Sequence, residues 1–125
     1  MGEHIEIKDL GVYKQALKIS KFAWEIYKNF GWRTKKIIGD QFIEAIDSIG
    51  ANIAEGYGRY HYLDRVKFYY NARGSLTESL HWLELLLKRE LIKEENYQRL
   101  TEELSKLNHS LNAYIKFLYK SKSNI

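Results

Sequence analysis

Apolar residues recur at the three-and-four spacing of an α-helix in four stretches of this chain. In the first, from about residue 9 to 30, Val12, Ala16, Ile19, Ala23, Ile26 and Phe30 step 4-3-4-3-4, and Tyr13, Leu17, Trp24 and Tyr27 widen the face. Asp9 stands where an N-cap would, and Gly31 follows the last periodic residue, where glycine tolerates positive φ. The second stretch, 34–57, carries Phe42, Ile46, Ile49 and Ile53 on one face. The third, 63–91, carries Tyr69, Ala72, Leu76, Leu80, Leu83 and Leu87, and the fourth, 94–120, carries Leu100, Leu104, Leu107, Leu111, Tyr114 and Leu118. No stretch sustains period-two alternation, so no sheet is expected. Long amphipathic segments with short joints predict an all-α, antiparallel up-down-up-down four-helix bundle in a single domain. Residues after Lys120 are expected to fray.

The second stretch has a further stripe beside its apolar one: Gln41, Ala45, Ser48, Asn52, Glu55 and Arg59. A solvated helix face normally favours Lys and Glu over Ala, Ser and Asn. The spacing therefore predicts a face that meets another helix closely. In a hairpin hinged near Tyr60, its counterpart is Asn71, Ser75 and Glu78. Buried amides and hydroxyls must be paired, so these residues predict a polar network between helices or between subunits, with Arg59 a partner for Glu55 or Glu78. A polar ligand pocket is the alternative.

Composition narrows the class. The 125 residues include no proline and no cysteine, which permits long helices and excludes disulfide and thiolate chemistry. The first residues lack the apolar run of a signal peptide, and no stretch approaches the ~20 apolar residues of a membrane span. A cytoplasmic protein with no membrane partner is the expectation.

Net charge is +4, a mild tilt toward anionic partners, but its distribution is uneven. Asp40, Glu44, Asp47 and Glu55 dominate the second stretch. Beyond it lies a basic, tyrosine-rich cluster: Tyr57, Arg59, Tyr60, His61, Tyr62, Arg65, Lys67, Tyr69, Tyr70 and Arg73. Cations neutralise phosphates and tyrosine faces stack on unpaired bases. Arg59, Arg65, Lys67, Arg73, Tyr60 and Tyr62 are therefore candidate contacts to RNA or DNA. The alternative is that the tyrosines are core or interface residues and the charges merely face solvent.

Other chemistry finds little support. Glu78 and His81 form a Glu-x-x-His pair as in di-iron bundles, but those sites need a second such pair and two more glutamates. No serine sits in a nucleophile elbow, and Gly56-x-Gly58 lacks the context of a phosphate-binding loop. No catalytic residue, metal or cofactor is assigned, and no enzyme activity is expected.

The segments "QFIEAIDSIGANIAEGYGR" (41–59) and "ARGSLTES" (72–79) together resemble the four-helix-bundle family first associated with intervening sequences in bacterial 23S ribosomal RNA genes. The resemblance runs from "DLGVYKQA" to "LNAYIKFL"; Gly50 replaces a proline common in the family pattern. It implies a homopentameric ring. The wider family includes the accessory protein of diversity-generating retroelements, a basic pentamer that binds a reverse transcriptase and nucleic acid. By that analogy the chain is a nucleic-acid-binding or ribonucleoprotein accessory module. The alternative is a structural ring that recruits a partner protein such as a reverse transcriptase. Trp32, beside Gly31 in a short joint, is a candidate for subunit contact.

Overall fold

The computed structural model describes residues 5–123. Its helices are α1 (Gly11–Tyr27), a single turn α2 (Trp32–Thr34), α3 (Asp40–Tyr57), α4 (Tyr62–Lys88) and α5 (Glu94–Ser123). A π-helical stretch, Lys35–Gly39, joins α2 to α3 without a break, and a 3-10 turn, Ile7–Asp9, precedes α1. Among the described residues there is no strand. α3 packs against α1 and α4, and α5 against α4 and α1, so the four long helices close into an antiparallel bundle.

The stripes read from the sequence build the core. Phe42, Ile46, Ile49 and Ile53 of α3 are buried, as are Val12, Ala16, Ile19 and Ala23 of α1. Leu100, Leu104, Leu107, Leu111 and Leu118 of α5 join them, with Tyr69, Ala72, Leu76 and Leu83 of α4. The periodicity overreached at the edges. Leu17 and Trp24, placed on the widened face of α1, are about half exposed (49% and 50%).

Helix ends depart from expectation for identifiable reasons. Leu10, not Asp9, is the N-cap of α1, because Asp9 is taken up in the 3-10 turn. α1 stops at Tyr27 because Asn29 folds back, its Nδ2 donating to the Glu25 carbonyl at 2.9 Å. Such local bonds compete with the helical ladder. Gly31 does not adopt positive φ; it is extended at −68° and starts α2. α4 ends at Lys88 rather than residue 91. Glu90 takes the left-handed conformation (φ 56°), the Leu91 N–H reaches the Leu86 carbonyl at 2.8 Å, and the Glu90 N–H reaches Leu87 at 3.0 Å. This pair of bonds is a Schellman stop, usually built on glycine. α5 continues through Ser123, past the expected fraying point; residues 124 and 125 lie outside the described residues.

α3 and α4 make the most extensive contact in the bundle. Small side chains permit it: Ala45, Ala72 and Ser79 are buried between them, and Gly56 presents bare backbone. A Cβ on Gly56 would stand 3.0 Å from the Phe68 Cβ and 3.1 Å from the Arg65 carbonyl oxygen. Gly56 lies inside α3 with right-handed φ, so it serves helix contact rather than an exit turn. The chain leaves α3 at Gly58, also with negative φ (−78°), and re-enters α4 after His61.

Candidate nucleic-acid interface

The basic, tyrosine-rich residues gather where α3 hands over to α4. The exit from α3 places Arg59 and Tyr60 in the turn, and Tyr60 is 93% exposed with its ring edge-on to His61. Arg59 pairs with Glu55 at 2.7 Å, and its guanidinium also lies 4.8 Å from the Phe68 ring centroid on α4. Both partners of that ion pair are about half exposed, so it contributes at most about 1 kcal/mol.

α4 distributes the remaining candidates over its faces. Arg65 is half-buried, its guanidinium 5.9 Å from the Tyr57 ring and its Nε enclosed by protein. It is thus partly a packing residue. Lys67 is exposed. Arg73 stacks over Tyr70 at 5.0 Å on the same helix. Tyr62 is half-buried, its ring edge-on to Tyr119 of α5 at 5.8 Å. Three arginines thus lie against aromatic rings, which holds their guanidinium planes in place.

Two tyrosines of α5 belong to this region although the sequence pattern gave them no such part. Tyr114 lies edge-on to the fully buried Tyr69 at 5.1 Å, and Tyr119 packs on Tyr62. Burial raises the Tyr69 phenol pKa above its usual value, and the neighbouring Tyr114 adds to the shift. Tyr119 is raised too, first by its hydrogen bond with Tyr70 and then by burial. The usable signal was the register: in an antiparallel α4–α5 pair joined near residue 91, the end of α5 must face the start of α4.

The polar stripe has a different outcome. Gln41, Ala45 and Ser48 of α3 meet Glu78 of α4 around an open concavity of about 500 Å3, also lined by Glu44 and Asp47. The hydrogen bonds among these residues run along each helix, not across. Asn52 Nδ2 donates to the Ser48 carbonyl at 2.9 Å and Ser79 Oγ to the Ser75 carbonyl at 2.9 Å. Glu78 accepts from Trp82 Nε1 at 3.0 Å, and Asn71 is exposed. Donors one turn from a carbonyl in their own helix need no cross-helix partner. What the arrangement offers is an acidic, half-polar groove on the outside of the α3–α4 contact.

The Glu78–His81 pair does not converge. Glu78 is engaged by Trp82, and the His81 ring lies 5.0 Å from the Trp82 ring. Among the described residues, no three His, Asp or Glu side chains form a cluster able to hold a metal ion. No described helix is long and apolar enough to cross a membrane.

Comparison with known proteins agrees with this architecture. The family model described as 23S rRNA-intervening sequence protein matches residues 8–113. A crystal structure of a protein with unknown function from the S23 ribosomal protein family of Bacteroides thetaiotaomicron VPI-5482 superposes with a TM-score of 0.76 at 25% identity. The match covers 84% of this chain and 98% of that one. No curated protein matches the chain.

Proposed function

This chain belongs to the 23S rRNA-intervening sequence protein family, and from that premise we propose that it is a non-enzymatic module that binds nucleic acid and assembles with copies of itself. The observation that carries the reading is the α3–α4 corner. There Lys67 and the 93%-exposed Tyr60 stand beside Arg59, Arg65 and Arg73, laid on Phe68, Tyr57 and Tyr70. Exposed cations attract phosphates, and a free tyrosine face suits an unpaired base. The residues to substitute are Tyr60 and Lys67, because Arg65 also packs the helices together.

The test is ultraviolet crosslinking followed by sequencing of whatever nucleic acid co-purifies at moderate salt. The reading expects a defined crosslinked pool, sharply reduced in the Tyr60→Ala/Lys67→Glu variant with unchanged helicity. An uncrosslinked chain, or equal yields from both proteins, contradicts it.

Assembly, with the homopentameric ring that the resemblance implies, draws support from a separate observation. Around the joint of α1 and α3, Trp24, Trp32 and Ile37 are 50%, 72% and 61% exposed. Large apolar side chains crowded into one exposed segment usually mark contact with another protein. The same patch favours the second reading, a ring that recruits a partner protein. Sedimentation separates the two: Trp32→Ala/Ile37→Asp is expected to yield smaller species if the patch joins copies, and unchanged rings if it serves a partner.

A further inference from the structure

α5 carries a cationic row that the α3–α4 corner does not include. Lys106, His109, Ala113, Lys116 and Lys120 step 3-4-3-4, and all five are exposed, so they share the outer face of one helix. Lys106 lies 3.9 Å from Glu103. Among the described residues, Lys116 and Lys120 have no carboxylate within ion-pair distance.

The row adjoins the basic half of α4. Residues 65–77 of α4 and 104–121 of α5 contain no Asp or Glu, yet they hold Arg65, Lys67, Arg73, Lys106, Lys116 and Lys120. These six cations exceed the net charge of the entire chain, +4. The Tyr62–Tyr119 and Tyr69–Tyr114 ring contacts show that the two stretches lie side by side. Cation-bearing stretches of α4 and α5 that contain no carboxylate are therefore neighbours.

Aromatic faces stand among these cations. Phe117 is 59% exposed, and its ring borders a shallow concavity of about 270 Å3 whose other walls are Ala113, Lys116 and Lys120. On the other side of Lys116, Tyr119 (44% exposed) is hydrogen-bonded to Tyr70 (42%), on which Arg73 stacks. Lys116, Phe117, Tyr119 and Lys120 all lie beyond residue 113, where the family match ends.

The geometry points to a single-stranded nucleic-acid-binding surface on the C-terminal half of α5 and the adjoining half of α4, in which Lys116 and Lys120 take phosphates and Phe117 stacks on an unpaired base. It rests on the nucleic-acid reading above and extends it to a second helix and a class of ligand. A duplex would use the cations but leave the exposed rings unmatched, since its bases are already stacked. An anionic membrane would need a broader apolar surface than one phenyl ring flanked by tyrosines.

Fluorescence anisotropy with a labelled oligouridylate and with a paired RNA of equal length tests it. Lys116→Glu/Lys120→Glu is expected to weaken oligouridylate binding about ten-fold or more at low salt. Its log–log salt slope should be shallower by about 1.4, the share of two phosphates on a single strand. Phe117→Ala is expected to lower single-strand affinity at least about five-fold while leaving duplex binding nearly unchanged. All three side chains are exposed, so helicity by circular dichroism should match the parent. If the parent chain binds and Lys67→Glu weakens it, but both α5 variants bind like the parent, this surface is refuted and the proposed function stands. If the parent binds neither RNA, the underlying reading fails and this inference with it. Retention on phosphatidylserine vesicles that the double variant loses, without oligonucleotide binding, overturns it in favour of a membrane surface.

Discussion

Gly56 shows how one missing side chain sets the distance between two helices. A Cβ there would meet the Phe68 Cβ and the Arg65 carbonyl at 3.0 and 3.1 Å, and both belong to or sit on the backbone of α4, so neither can swing away. Alanine would gain about 1 kcal/mol of helix propensity, but overpacking costs about 1–3 kcal/mol. Gly56→Ala should therefore lower the melting temperature. Gly74, on α4 with open space where a Cβ would stand, makes the control. Gly74→Ala should stabilise by roughly 0.5–1 kcal/mol. A Gly56→Ala protein as stable as Gly74→Ala would mean that α3 and α4 are not in the close contact described.

Tyr69 makes a pH prediction at the same scale. Its neutral phenol is favoured in the folded chain, so its pKa there lies above the unfolded value near 10. Between those two values the folded state holds a proton that the unfolded state has released. Stability should thus be level below about pH 10 and fall as pH rises beyond it, by up to about 1.4 kcal/mol per unit. Tyr69→Phe should remove that part of the alkaline decline, measured by urea melts across the range. An identical decline in the variant would show that Tyr69 is not the buried group responsible.

At the scale of elements, the cores of the helices were legible and their ends were not. Phe42, Ile46, Ile49 and Ile53 repeat so regularly that α3 could be placed from spacing alone, and all four are buried. Ends are decided by local bonds that periodicity does not encode: Asn29 turning back to Glu25, Asp9 absorbed into a 3-10 turn, the π-helical stretch where Gly39 meets the Phe30 ring. The polar stripe was half legible. Its small residues do mark the close α3–α4 contact, but Asn52 and Ser79 satisfy their donors one turn back in their own helices. The basic residues of the α3–α4 corner stand out in the sequence and those of α5 do not, because a row of lysines diluted by Leu, Asn and Ser shows up only when the helix face is drawn.

The stop of α4 yields the prediction proper to this scale. Glu90 holds a left-handed φ of 56° that glycine adopts without a Cβ penalty. Glu90→Gly should stabilise the protein by about 0.5–1 kcal/mol, after the extra chain entropy of glycine in the unfolded state. A loss of stability in chemical denaturation would show that the Glu90 side chain contributes something its conformation does not reveal.

On the scale of the whole molecule, charge and apolar exposure are segregated. α3 contributes Asp40, Glu44, Asp47 and Glu55 and no Lys or Arg, and Glu78 adds to its groove. Residues 65–77 of α4 and 104–121 of α5 carry cations without carboxylates, and the exposed tryptophans lie at the joint of α1 and α3. A bundle needs none of this for stability, since its core is supplied by the inward stripes. Segregation of this kind fits a small helical scaffold that presents one face to a polyanion and another to protein.

The most direct test of that account is the affinity of the intact chain for labelled single-stranded RNA across a salt series. If the basic face binds phosphates, log K falls linearly with log salt concentration, with a slope of about −2 or steeper for three or more phosphates contacted. No binding at low salt, or an affinity indifferent to salt, would contradict it.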